Sequence, residues 1–250
     1  MKIAVDAATI SAFALVLIRA TVFFFIAPPF SNRSIPTTVK AGLAASLSLA
    51  IAPHVQGANL SLDTGPFAAA LITQAVVGLA MGLTMVVLMS AVQSAGSLID
   101  VFAGFSMASL YDPMSDNTTS LFGRFYQLLA ITILFASNLH LLIVKGFTES
   151  FRLIPADAFD TAIIAKVLTL NIGQLFVAAF EIAGPVVGCL FVSELSMGLI
   201  ARAAPSLNIF SLAFPIRVGV AMLVVSLAIP LLAPAVHNII NMGLHSFLRT

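Results

Sequence analysis

Apolar residues in this chain come in long unbroken runs, not in short alternating stretches. Residues 41–62, 64–99, 125–144 and 218–247 carry no charged side chain, and each is long enough to cross a bilayer core, which takes about 20 residues. Such runs are too long for strands and lack the alternating segments of roughly ten residues that mark an outer-membrane barrel, so they predict helices. Helices are expected near residues 3–27, 37–55, 66–99, 121–145, 160–183, 185–203 and 210–237. The 36 uncharged residues of 64–99 would make roughly 54 Å of helix at about 1.5 Å per residue. A hydrocarbon core is about 30 Å thick, so this helix must tilt, break around Gly78 and Gly82, or run on into protein. The expected class is an all-α, polytopic membrane protein with long, bent helical hairpins. Residues 1–250 are expected to form one integral membrane subunit with no separate soluble domain.

Composition agrees with the pattern. The chain is 60% hydrophobic and 8% charged, against about 25% charged in soluble domains. A net charge of +1 supplies no basic patch for nucleic acid. With six spans assumed, Lys2, Lys145, Arg152, Lys166 and Arg249 fall on one membrane face and Arg33, Lys40, Arg124, Arg202 and Arg217 on the other. An even split sets no orientation by cation count, and it points to a protein whose position is fixed by partner subunits. The first residues, one lysine before an apolar run, have the look of a signal peptide. Arg19 interrupts that run and Ala27-Pro28-Pro29 makes a poor cleavage site, so it reads as a retained first helix. Cys189 is the single cysteine; it excludes an intrachain disulfide and a cysteine-based metal site, and reads as a small core filler.

The candidate chemistry lies where polarity interrupts the apolar runs. Arg19, Asp100, Glu181, Glu194 and Arg202 sit within them, and an ionised group at membrane depth costs about 2.5–3.5 kcal/mol on the lenient insertion scales. Each therefore reads as packed against protein. Arg19 needs a partner, and Asp100, Glu181 and Glu194 are the acids that could supply one. In the segment from Glu194 to Arg217, Pro205 and Pro215 stand where a continuing helix would break. Asn208 can satisfy carbonyls freed there, while Arg202 and Arg217 would meet acids or helix C-terminal carbonyls. That segment reads as a structural junction. Residues 111–120, Tyr-Asp-Pro-Met-Ser-Asp-Asn-Thr-Thr-Ser, form the one clearly polar stretch and read as a loop between two long helices. His140 reads either as a neutral imidazole hydrogen-bonded to a neighbouring helix or as a proton-relay group. Glu149 and Arg152, three apart, would pair on one helix face. The G-x-x-x-G spacings at Gly78/Gly82 and Gly184/Gly188 suggest crowded helix faces. Enzyme signatures are absent, His54, His237 and His245 make no metal spacing with His140, and no catalytic, cofactor or metal residue is assigned.

Four motifs occur in order along nearly the whole chain. Arg19 precedes Pro28-Pro29-Phe30 and Pro36 with Lys40. Gly104, Ala108, Asp112, Pro113 and Ser115 form the second. The third joins Asn138 and His140 to Glu149-Ser150-Phe151 and Pro155. The fourth runs from Met197-Gly198-Leu199-Ile200-Ala201-Arg202 through Pro205, Leu207-Asn208-Ile209-Phe210 to Phe214-Pro215-Ile216-Arg217. This set resembles the FliR family of the flagellar type III export apparatus, related to the SctT family of injectisomes; Met197, Ser206 and Leu139 depart from the family pattern.

The resemblance implies an export-gate subunit of the bacterial inner membrane, within the flagellar basal body. It implies a hetero-oligomeric helical assembly with FliP-like and FliQ-like subunits, alongside FlhB-like and FlhA-like proteins. The gate would form and plug a pore for unfolded flagellar proteins in a membrane-lipid setting, without cofactor. The plug is expected in 104–117, with Gly104, Phe105, Met107, Asp112, Pro113 and Met114. Structural or inter-subunit roles are expected for Arg19, Pro36, His140, Glu194, Arg202, Pro205, Asn208, Pro215 and Arg217. An injectisome gate is the near alternative. A secondary transporter would need inverted repeats, and a membrane-embedded enzyme converging polar residues; the sequence displays neither.

Overall fold

The computed structural model describes residues 7–32, 35–55, 64–105, 120–153, 161–204 and 209–248, and among them the regular elements are helices. Helix α1 (Ala7–Ile26) is followed by Ala27 with ψ 126°, and Pro28 and Pro29 then open the single turn of α2 (Pro28–Ser31). Proline suits a first helical position because its missing N–H has no intrahelical partner there in any case. Pro36, extended at φ −56° and ψ 143°, stands immediately before α3 (Thr37–Ile51), which runs into a 3-10 turn (Ala52–His54). Helix α1 packs against both α3 and that turn.

Helix α4 (Thr64–Ala103) continues for 40 residues, with no break at Gly78 or Gly82. Those glycines serve close approach instead of bending. A Cβ on Gly78 would lie 2.6 Å from the Arg19 carbonyl oxygen, and one on Gly82 would lie 2.9 Å from the Ile26 side chain. The excess length is absorbed by protein, since 61% of an apolar stretch of 18 residues within Gly65–Ala103 is buried.

Three expected boundaries are corrected. The helix expected over 121–145 is two, α5 (Leu121–Ala136) and α6 (Leu139–Leu153). Between them Asn138 takes φ 57°, a left-handed conformation that asparagine accepts more readily than most residues. Conversely, the two helices expected over 160–183 and 185–203 are one, α7 (Thr161–Ala203), with Pro185 inside it. Helix α8 (Ile209–Leu248) encloses Pro215, Pro230 and Pro234, so Pro215 does not end a helix. An interior proline costs about 3 kcal/mol or more in a water-exposed helix. In membrane helices, neighbouring groups and small backbone adjustments re-satisfy the freed carbonyls.

Four of these helices are long and apolar enough to cross a membrane, or five spans if α5 and α6 together count as one broken span. Among the described residues this gives four or five candidate spans, where six were assumed from sequence. The chain is a multi-pass, all-helical membrane protein.

The helices group into two compact units. Unit 1 comprises Met1–Leu88, Asn138–Ile172 and Ile240–Thr250. Its centre is aromatic: Phe23 stacks on Phe147 at 5.0 Å, and Phe24 and Phe151 pack on Phe147 at 5.7 and 5.3 Å. Glycines again set the spacing, for a Cβ on Gly243 would lie 2.9 Å from Leu88 and Met85. Unit 2 comprises Met89–Ser137 and Gly173–Ile239. There the C-terminal half of α4 meets the start of α5 so closely that a Cβ on Gly96 would sit 2.4 Å from the Phe122 carbonyl oxygen. Tyr126, Ala130 and Leu134 line up on the buried face of α5. Cys189 is exposed, not the core filler expected.

Candidate functional site

Within unit 2, the end of α4 and the start of α5 carry the chain into and out of residues 106–119. Met107, Asp112, Pro113 and Met114 lie outside the described residues; Gly104 and Phe105 lie within them. Gly104 has φ +85°, a region that side-chain-bearing residues rarely adopt. It is buried, and a Cβ there would come 3.2 Å from Arg217 Nη1. Phe105 packs edge-to-face with Phe122 at 5.7 Å and Phe214 at 6.4 Å. Aromatic pairs of this geometry are worth about 0.5–1.5 kcal/mol beyond area burial. Arg217 Nη2 in turn donates to Glu194 Oε2, an ion pair linking α8 to α7. Two motifs that are far apart in sequence, 104–117 and 194–217, thus meet at Gly104, Phe105, Phe214 and Arg217.

The same corner holds Asp100, which is 4% exposed. Its carboxylate accepts from the Ser120 hydroxyl and from the Phe122 backbone N–H, at 3.1 Å to Oδ2 and 3.2 Å to Oδ1. Ser120 Oγ also accepts from Gly123 N at 2.8 Å, which makes Ser120 the N-cap of α5. A carboxylate at this helix start is favoured by the partial positive charge of the unpaired amides. Asp100 is therefore committed to α5, and Glu194 to Arg217. These are two of the three acids expected to serve Arg19.

Arg19 in unit 1 is fully buried and is held in a different way. Its Nε donates to Gln74 Oε1 at 2.6 Å and its Nη1 to Ser150 Oγ at 3.1 Å, with the guanidinium 4.0 Å over the Phe151 ring. A neutral amide oxygen, a hydroxyl and an aromatic face thus surround the guanidinium, and a cation over a ring face is itself favourable. Ser150 and Phe151 belong to the motif that carries Glu149, so the first and third motifs also converge in space. Glu149 itself pairs with Lys145 at 4.0 Å on the exposed face of α6, not with Arg152.

The remaining sites lie apart. Pro36 is exposed at the start of α3, His140 is half-buried near the start of α6, and Arg202 is exposed in the last turn of α7. Pro205 and Asn208 fall outside the described residues. Gly78 and Gly82 are crowded as their spacing suggests, whereas nothing lies within 4 Å of a Cβ on Gly184 or Gly188. That second expectation does not hold among the described residues. Sequence reasoning missed Gln74, Ser97, Ser120 and Phe122. Only Ser120 had a usable signal, a serine directly before an apolar helical run.

The model for bacterial export proteins, family 1, matches residues 10–243. The flagellar biosynthetic protein FliR of Bacillus subtilis is 30% identical over 240 residues, covering 94% of this chain and 92% of that protein. FliR of Escherichia coli K12 is 30% identical over 219 residues, covering 87% and 84%. The Yop proteins translocation protein T of Yersinia pestis is 29% identical over 216 residues, covering 84% and 83%. The buried Arg19, the Gly104 corner and the Glu194–Arg217 pair all lie inside the matched region, and the chain belongs to the family of bacterial export proteins, family 1.

Proposed function

We propose that this chain is the FliR-type subunit of a flagellar type III export gate, a non-catalytic component that shapes and plugs a pore for unfolded flagellar proteins. The observation that carries this reading is the near end-to-end match to flagellar relatives in a chain whose long apolar helices make it multi-pass. Membership of an export complex follows from the family. FliP-like and FliQ-like subunits, with FlhB-like and FlhA-like proteins nearby, are the finer part of the proposal, as is residence in the inner membrane at the flagellar basal body. Residues 104–117 are proposed as the plug. Their first two residues, Gly104 and Phe105, pack against Phe122, Phe214 and Arg217. The match to the Yersinia translocation protein supports an injectisome gate as the second reading.

Deleting the gene and restoring it on a plasmid tests the function, with swimming and secreted flagellin as readouts. Purification of the tagged chain in mild detergent, followed by mass spectrometry, tests the partners. Loss of both readouts on deletion, with FliP-like and FliQ-like proteins captured, is expected. Normal motility without the chain, together with a stable, monodisperse monomer, contradicts the proposal.

A further inference from the structure

Of the three acids expected to serve Arg19, Asp100 and Glu194 have taken other partners. Glu181 has taken none: among the described residues no group hydrogen-bonds or ion-pairs with it. Its own helix cannot serve it. Lys166 and Arg202 are the cations of α7, and their backbones stand about 22 and 31 Å away along the axis. Within unit 2, α7 turns Ala179, Ala183, Val186 and Leu190 to its own chain, where all four are buried. Glu181 stands on the opposite face, in line with Val177 and Gly184, and all three are exposed. The residue also lies inside the apolar span Leu168–Ala203.

A second acceptor sits at the same level. An α-helical carbonyl takes its hydrogen bond from the residue four positions on. For Glu181 that residue is Pro185, which has no N–H to give. One residue thus presents both a carboxylate and a backbone carbonyl without its helical donor. Lipid tails offer a donor to neither, and acids at membrane depth are almost always paired or turned to a protein or water-filled interior. Next to Glu181, nothing lies within 4 Å of a Cβ on Gly184 or Gly188, so another helix can approach closely there.

We infer that Glu181 is the docking point for a lysine or arginine carried by a membrane helix of another subunit, seated on this face of α7. Such a cation neutralises the carboxylate and has further N–H groups for the carbonyl. The inference rests on the export-complex reading given above, but not on which subunit supplies the helix.

The test purifies the tagged chain with its complex in mild detergent and quantifies the membrane proteins retained. Glu181→Gln, which keeps the shape and removes the charge, should cut retention by about tenfold. Glu181→Lys should cut it further, and Glu181→Asp should keep most of it. Membrane insertion of the chain itself should stay at the parental level in all three, because the side chain is exposed. Cells carrying Glu181→Lys are then selected for restored swimming. The restoring changes should replace a lysine or arginine in a membrane helix of a retained subunit by a neutral or acidic residue. Parental retention by both Glu181→Gln and Glu181→Lys overturns the inference, and a changed ion conductance alongside it would place the carboxylate in the pore instead. Suppressors that spare every partner cation overturn it as well. A parent chain that retains no membrane protein overturns the export-complex reading, and this inference with it.

Discussion

Helices α4 and α7 run 40 and 43 residues, and each contains an apolar stretch of 18 residues, with mean hydropathies of 2.3 and 2.2, yet 61% of the first stretch is buried against 28% of the second. Their glycines mark the contrast most clearly. On α4, a Cβ at Gly78, Gly82 or Gly96 would collide with a neighbouring segment, whereas Gly173, Gly184, Gly188 and Gly198 on α7 face open space. Helix α7 also displays Phe176, Phe180, Phe191, Leu195 and Leu199 on its exposed surface, with Glu181 exposed among them. The difference teaches that hydropathy states only that a helix avoids water. Whether it meets its own chain, lipid or another subunit is decided by packing.

The comparison breaks most visibly at Arg19, whose backbone touches Gly78 and whose side chain is fully buried. Arg19→Ala should destabilise the chain by about 4 kcal/mol, combining a cavity with unmade hydrogen bonds at Gln74 and Ser150. Membrane-inserted yield and thermal unfolding in detergent measure it. A midpoint unchanged from the parent would mean the Arg19 cluster holds nothing together.

Glycine substitutions sharpen the contrast directly. Gly96→Ala on α4 should cost about 3 kcal/mol, the upper end of ordinary overpacking, because a backbone carbonyl and not a pliable side chain stands in the way. Gly188→Ala on α7 should change the stability of the chain by at most about 0.5 kcal/mol. The double variant Gly184→Leu, Gly188→Leu should leave unfolding alone yet reduce co-purification of partner membrane proteins, since bulk is added only where a helix from elsewhere would approach. Equal unfolding costs at Gly96 and Gly188 would erase the distinction between the two helices.

Much of the helical plan could be read from the sequence because uncharged runs longer than a bilayer leave few other solutions. The continuous passage of α7 through Pro185 and α8 through Pro215 could not. Proline reports a missing donor, not whether the surroundings will replace it. The break at Asn138 was equally hidden, since Ser137 and Asn138 lie inside an uncharged run that reads as one helix. At the candidate site, the motifs announced Gly104 and Arg217 separately, and only the fold brings them together. Asp100 was legible as an acid packed against protein and a possible partner of Arg19, but not as the partner of Ser120. The donors that hold it are a hydroxyl and a backbone amide, which carry no charge pattern for a sequence to display.

The smallest effect concerns exposed charge. Glu194→Gln removes an ion pair whose glutamate is 57% exposed, so the chain alone should lose at most about 1 kcal/mol. Arg202 is exposed in the last turn of α7, and Arg202→Ala should cost the isolated chain about 0.3–1 kcal/mol through the helix dipole. If assembly buries Arg202 against an acid, the same change should cost the complex about 3–5 kcal/mol, and complex yield and motility should fall together. A complex formed at normal yield that exports nothing would place Arg202 in transport itself.

The claim that this chain plugs a pore is tested most directly by ion conductance across membranes holding the complete gate, with the chain either intact or shortened between residues 106 and 117. The account predicts normal assembly of the shortened form, shown by co-purification of its partners, with conductance well above that of the intact gate. An assembled, shortened gate that remains as tight as the parent would contradict it.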